Sequence, residues 1–223
     1  MQMNLDWDFI VRSLPLYGAA MWLTVKLAVI AILLSTLLGL LFSLVLFNKV
    51  RGISGLILAY VELSRNTPLL VQLFFLYYGL PKIGLHLSEF TCAIVGLTFL
   101  GGSYMTEAFR SGIEAVGKSQ LESGLSIGLG KLQLARYIIL PQALAIGIPS
   151  LGANAIFLLK ETSIVGAIAL MDLMNVAKDL IGMHYKTAES LLLLVLAYLV
   201  LVLPLSVLLS WLERKVRYAE FGD

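Results

Sequence analysis

Three stretches of the chain, 27–48, 137–159 and 190–212, run without a single charged side chain. Each exceeds the roughly 18 apolar residues needed to cross a bilayer as a helix. Two further apolar stretches are weaker. Residues 52–81 are interrupted by Glu62 and Arg65, and residues 90–106 are shorter. The pattern predicts an all-α membrane protein with about five transmembrane helices. Between the third and fourth of these lies a polar, glycine-broken segment, 122–141, with the sequence ESGLSIGLGKLQLARYIILP.

Composition agrees with the pattern. Of 223 residues, 59% are hydrophobic and only 13% charged, and the mean hydropathy is +0.92. Such values exclude an ordinary soluble domain. No convincing 20–50-residue repeat is present, so residues 1–223 are expected to form a single transmembrane domain. The N-terminus, with Asp6 and Asp8 in place of a basic leader, is not expected to be a cleavable signal peptide. Cys92, the single cysteine, lies in an apolar run and reads as a packing residue.

Charge placement sets an expected orientation. With the N-terminus outside, the inner segments hold Lys49, Arg51, Lys118, Lys131, Arg136, Arg214, Lys215 and Arg217. The outer segments then hold Arg12, Lys82, Lys178 and Lys186. Basic residues favour the cytoplasmic side, so the expectation is N-terminus out and C-terminus in the cytoplasm. Segment 122–141 then faces the cytoplasm.

Within that segment Leu121, Leu125, Leu129 and Leu132 recur at helical spacing and predict one apolar face. Gly128 and Gly130 interrupt the helix. Gly130 can cap a second short helix beginning at Lys131, and Pro141 is expected to mark the bend into the next span. The result is a helix–turn–helix knob at about 118–141.

The spacing E-x5-G-x9-I-x-L-P, carried by Glu122, Gly128, Ile138, Leu140 and Pro141, resembles the EAA loop of bacterial ABC-importer permeases. The resemblance extends over nearly the whole chain. SRNTPLLVQLFFLYYGLP at 64–81 is similar to the second-span signature of the polar-amino-acid permeases, the group including histidine, arginine and glutamine systems. YMTEAFRSGIEAVGKSQLESGLSIG at 104–128 is similar to the stretch leading into their loop, and KETSIV at 160–165 resembles a further segment of theirs. Two positions depart from the family pattern. Its two alanines after the glutamate are Ser123 and Gly124 here, and Leu129-Gly130 stands where Met-Ser or Met-Thr is usual.

The resemblance implies a type I ABC-importer fold and a permease of the bacterial cytoplasmic membrane translocating a polar amino acid by alternating access. It assigns contact with the ATPase to Glu122, Ser123, Gly124, Gly128, Leu129, Gly130, Leu140 and Pro141. It also implies two separate ATPase subunits carrying ATP and Mg, a second permease subunit of the same or a related kind, and an extracytoplasmic amino-acid-binding protein. No cofactor is expected on this chain, no nucleic-acid partner and no metal site. Consistent with that division of labour, the sequence holds no G-x4-G-K-[ST] phosphate loop.

Polar side chains at membrane depth are costly and usually face a cavity or partner. The pathway candidates are Arg65, Asn66, Thr67, Asn154, Lys160, Glu161, Thr162 and Ser163. Pro68 is expected to kink or restart the second span. Glu62 with Arg65, and Glu107 with Arg110, are spaced to pair along a helix. Lys160 and Glu161 could equally stabilise the bundle, and Lys26 could snorkel from near the start of the first span. Against an intramembrane enzyme, Gly101-Gly102-Ser103-Tyr104-Met105 is no nucleophile elbow, and no paired His/Cys ligand set occurs. An autonomous carrier would leave the knob unexplained.

Overall fold

A computed structural model describes residues 5–221 of the chain. The side chains of Lys118, Lys131, Leu132 and Arg217, which the sequence places in the charge count or on the knob, lie outside the described residues, as do those of 219–221. The described residues are helical, without a strand: α1 (Trp7–Phe47), α2 (Ile53–Arg65), α3 (Leu69–Phe74), α4 (Glu89–Glu114), α5 (Lys118–Ser126), α6 (Lys131–Leu134), α7 (Leu140–Glu161), α8 (Leu173–His184) and α9 (Thr187–Phe221). Among the described residues four helical stretches are long and apolar enough to cross a membrane: Trp7–Phe47, Glu89–Glu114, Ala135–Ile168 and Thr187–Val216. The remaining apolar stretch is divided. α2 ends at Arg65, Pro68 is extended with φ −61° and ψ 139°, and the chain restarts as Leu69–Ile83.

Two boundaries differ from the sequence expectation. The first helix begins at Trp7, twenty residues before the uncharged run, because Asp8, Arg12, Pro15 and Lys26 interrupt the hydropathy without breaking the backbone ladder. At about 1.5 Å per residue its 41 residues far exceed the ~30 Å hydrocarbon thickness. Lys26 is therefore mid-helix, immediately before the uncharged run, with its ammonium 4.9 Å from the ring centre of Phe90. Pro141, in turn, lies in the first turn of α7, and the irregularity falls just before it. Residues Ala135–Ile139 form a π turn in which Leu140 donates to the Ala135 carbonyl, and α7 follows directly. The same device precedes Pro81, where Phe75–Gly79 form a π turn and Leu80 donates to the Phe75 carbonyl. The wider i→i+5 bond gives the carbonyls before each proline an alternative to the missing proline N–H.

The chain divides into two compact units, with α1, α4, α7 and α9 contributing to both. One comprises Met1–Leu33, Thr67–Thr98 and Ile156–Leu205. Its core joins Ile10, Tyr17 and Ala20 of α1 to Leu173, Val176, Ala177 and Leu180 of α8, and to Leu193, Leu194 and Ala197 of α9. Polar groups fix the register: the Tyr17 hydroxyl donates to the Ser190 carbonyl at 2.7 Å, and the Asp6 N–H donates to the Glu189 carboxylate at 3.0 Å. Lys186 meets the Asp6 carboxylate at 2.8 Å, which lowers the pKa of Asp6 and raises that of Lys186. Asp172 caps α8, accepting from the Met174 and Asn175 N–H groups. Its burial lifts its pKa to about 6 against those two bonds.

The other unit comprises Leu34–Asn66, Phe99–Ala155 and Ser206–Asp223. Its helices approach through small residues. A Cβ on Gly39 would lie 2.5 Å from the Met105 Cβ, and one on Gly112 2.5 Å from the Ala143 carbonyl oxygen, so the backbones of α1, α4 and α7 pass at distances only glycine permits. The Tyr60 hydroxyl and Ser64 Oγ both donate to the Phe99 carbonyl, at 2.7 and 2.9 Å.

Candidate functional site

The segment after α4 folds as the sequence suggests, and its two turns are closed by identifiable bonds. α5 ends in a Schellman turn: the Gly128 N–H donates to the Leu125 carbonyl at 2.9 Å, and the Leu129 N–H to the Gly124 carbonyl at 3.1 Å. Gly128 takes φ +84°, the left-handed conformation this turn requires. Three residues on, α6 begins at Lys131. The Gly130 carbonyl accepts from Leu134 at 2.9 Å, while the Gly130 N–H donates to Gln133 Oε1 at 2.9 Å. That is the reciprocal half of a capping box. Gln133 is thus a structural residue of the site that the sequence reading passed over, although the Gly130-x-x-Gln133 spacing carries the signal.

The two arms close on each other through Gly124. A Cβ there would stand 2.7 Å from Ile138 Cδ1 and would also collide with Leu134. Beneath them, Leu134, Ile139 and Ala143 pack with Ile113 and Val116, and Leu121 and Ile138 join from the side. The leucines of α5 accordingly do not form one face. Leu121 turns inward, whereas Leu125 is 56% and Ile127 77% exposed. This corrects the single apolar stripe: Leu121 packs against the cluster beneath while Leu125, one turn further on, overhangs it exposed, and the positive φ at Gly128 takes Leu129 off the line of α5. Glu122 and Ser123 are exposed, with Ser126 Oγ bonding the Glu122 carbonyl at 2.8 Å; Leu140 and Pro141 are half-buried. The outcome is a rigid, self-satisfied knob with apolar side chains displayed at its tip.

A charged cluster lies elsewhere in the same unit. Arg110 forks onto Glu107 at 2.8 and 3.0 Å and reaches Glu114 at 3.1 Å. Arg65 meets Glu107 at 3.6 Å and does not pair with Glu62, whose carboxylate accepts instead from Asn66 Nδ2 at 3.0 Å. The Arg65 guanidinium also stands 5.3 Å from the ring centre of Tyr104, whose carbonyl accepts from Asn154 Nδ2 at 3.2 Å. Tyr104, which the sequence reading did not single out, therefore links Arg65 and Asn154.

The remaining pathway candidates occupy the other unit, apart from Asn66. Gln72 Nε2 donates to the Thr67 carbonyl at 3.1 Å and to Thr67 Oγ1 at 3.0 Å, closing the gap left by Pro68. Thr162 is buried and donates back to the Leu159 carbonyl at 2.7 Å, a helix-internal bond. Lys160 is exposed and Glu161 half-buried, and among the described residues they form no ion pair with each other. Among the described residues no group of three or more His, Cys, Asp or Glu could hold a metal ion.

Comparison with known proteins is consistent over the length of the chain. A family model described as the binding-protein-dependent transport system inner membrane component matches residues 31–218. The probable amino-acid permease protein YxeN of Bacillus subtilis is 35% identical over 214 residues, spanning 95% of this chain and 96% of that protein. The glutamine transport system permease protein GlnP of Escherichia coli is 30% identical over 220 residues, spanning 96% and 99%. Among solved structures, an amino acid ABC transporter crystallised with histidines superposes with a TM-score of 0.89 at 34% identity, covering 96% of this chain and all of that one. The methionine ABC transporter MetNI in an inward-facing state shares the fold, with a TM-score of 0.76 at 19% identity over 92% of this chain and 98% of its own.

Proposed function

The chain belongs to the family of binding-protein-dependent transport system inner membrane components, and from that premise we propose that its solute is a polar amino acid. It is a permease subunit of an ABC importer with the type I importer fold, and nucleotide hydrolysis belongs to a separate subunit. Relatives named for glutamine and arginine transport support the substrate class.

The knob at about 118–141 is the contact for the ATPase. One observation carries this: its backbone is closed on itself by the Schellman turn and the Gly130–Gln133 cap, while Leu125 and Ile127 project outward. A partner groove can bury those side chains without stranding backbone polar groups. Glu122, Ser123, Gly124, Gly128, Leu129, Gly130, Leu140 and Pro141 build or flank it. The basic bias of its side of the chain places it in the cytoplasm, with the N-terminus outside and the C-terminus inside. Two ATPase subunits, a second permease subunit of the same or a related sequence and an extracytoplasmic binding protein complete the assembly in a bacterial cytoplasmic membrane. ATP-driven closure of the ATPases moves the knobs and turns the pathway between its two faces.

Arg65, Asn66, Thr67, Asn154 and Lys160–Ser163 are the pathway residues in this reading. Cations such as Arg65 and Lys160 suit an amino acid's carboxylate, and Glu161 suits its ammonium. A permease for another small polar solute is the second reading. Proteoliposomes holding the co-purified complex decide between them. Vanadate-sensitive uptake of one member of an amino-acid panel is expected. Vanadate-sensitive uptake of a non-amino-acid solute alone overturns the substrate, and uptake without any ATPase overturns the permease role of the knob.

A further inference from the structure

Where α1 gives way to α2, the chain turns within five residues. Lys49 N–H donates to the Leu46 carbonyl at 3.0 Å, Lys49 adopts φ +50°, and Gly52 adopts φ +83°. Two clefts of about 210 and 310 Å³ open beside this turn and share Leu46, Lys49, Arg110 and Glu114 in their walls. The smaller adds Phe47; the larger adds Arg51, Ser54 and Leu58.

The charges around these clefts are not equivalent. Arg110 is held by Glu107 and Glu114, so its positive charge is matched. Lys49 and Arg51 are exposed and in no ion pair with a described residue. The start of α2 has no side-chain cap at Gly52, and Ser54 Oγ is shielded from solvent without a hydrogen-bond partner among the described residues. Two exposed, uncompensated cations two residues apart attract an oxyanion at the cleft they line. Leu46, Phe47 and Leu58, the last two substantially exposed, offer an adjoining apolar wall. A free phosphate would use only the polar half; a phospholipid uses both.

The position fits as well. The uncharged run of α1 ends at Asn48, so the turn stands at the level of lipid headgroups. We propose that the α1–α2 turn is a binding site for an anionic phospholipid, its phosphate on Lys49 and Arg51 and its first acyl carbons against Leu46 and Leu58. Such a lipid tethers the turn at the membrane surface, beside the cleft wall that Arg110 and Glu114 of α4 supply.

The test is native mass spectrometry of the purified complex after exchange into detergent with equal phosphatidylglycerol and phosphatidylcholine. The wild-type chain is expected to retain phosphatidylglycerol selectively, and K49N/R51Q to retain about tenfold less or lower still. Asparagine is chosen at position 49 because it tolerates the left-handed backbone there. K49R/R51K, which keeps both charges, is expected to retain the lipid as wild type does. Equal retention of both lipids, undiminished phosphatidylglycerol in K49N/R51Q, or loss in K49R/R51K overturns the site. Release of the lipid by millimolar inorganic phosphate alone also overturns it, since the pocket then answers to a free anion. The readout needs neither uptake nor ATP and stands whichever solute is carried.

Discussion

Gly124 and Ile138 hold the two arms of the knob together: a Cβ added to Gly124 would approach Ile138 Cδ1 to 2.7 Å. The glycine lets the arms close to a distance at which a Cβ would collide.

The first prediction follows from this contact. In Gly124→Ala, the helix gains about 1 kcal/mol of propensity in α5. Displacing the flexible ends of Leu134 and Ile138 costs about 0.5–1.5 kcal/mol per strained side chain. With two side chains displaced the cost exceeds the gain by up to about 2 kcal/mol, so the variant should melt modestly below wild type and keep its ATPase. Gly124→Val adds overpacking of about 1–3 kcal/mol and should part the arms, with the ATPase lost on purification. Equal ATPase retention in both variants would show that arm closure is immaterial to docking.

Gly128 tests a different cost. Nothing lies within 4 Å of a Cβ there, but φ is +84°, so any loss is purely of backbone origin. A non-glycine residue in this conformation costs about 1–2 kcal/mol, asparagine less and a β-branched residue more. ATP-driven uptake should fall in the order Gly, Asn, Ala, Val while the amount inserted in the membrane stays constant. An order set by side-chain volume, with asparagine no better than valine, would contradict the account.

How far the sequence led depended on which physics set each feature. The uncharged runs within 137–159 and 190–212 reported their helices directly, because desolvation of a charge dominates there. The restart at Pro68 was equally legible, since a missing N–H leaves few alternatives. The start of α1 was not, because a helical backbone tolerates Asp8, Arg12 and Pro15 once Ile10 and Tyr17 are packed on α8 and α9, and hydropathy does not register packing. The π turns before Pro81 and Pro141 had no local signal apart from the prolines themselves. Arg65's choice of Glu107 over Glu62 is tertiary: both carboxylates were visible, but only the meeting of α2 with α4 decides between them.

That choice makes Arg110 a testable hub. Replacing it by glutamine strips Glu107 of a two-pronged partner and leaves it Arg65 at 3.6 Å. Arg110→Gln should destabilise the purified protein by about 1–3 kcal/mol, the cost of taking both short charge-assisted bonds from a half-buried carboxylate that keeps only the longer Arg65 contact. Glu114→Gln, at a much more exposed contact, should cost less than about 1 kcal/mol. E107Q/R110Q should recover part of the loss, because the half-buried carboxylate goes with its partner and only the more exposed Arg65 and Glu114 are left uncompensated. Thermal melts of these proteins together with Glu107→Gln, the other single variant of the pair, suffice, and a strictly additive double variant would rule out the coupling.

Asp172 supplies the last prediction. Burial raises its pKa from 3.8 to about 6 despite the N–H bonds from Met174 and Asn175. The folded state therefore binds this proton more tightly than the unfolded chain does between about pH 4 and 6. This group's contribution to stability is then most favourable below pH 4 and declines as pH rises through 6, by on the order of 2–3 kcal/mol at 1.36 kcal/mol per pKa unit. Asparagine caps helices as well as aspartate does and does not ionise. Asp172→Asn should thus melt higher than wild type at pH 7.5 and approach it at pH 5, with this part of the pH slope gone. Asp172→Ala should lose about 1 kcal/mol of capping at either pH relative to asparagine. A wild-type pH slope persisting in Asp172→Asn would assign the dependence to another group.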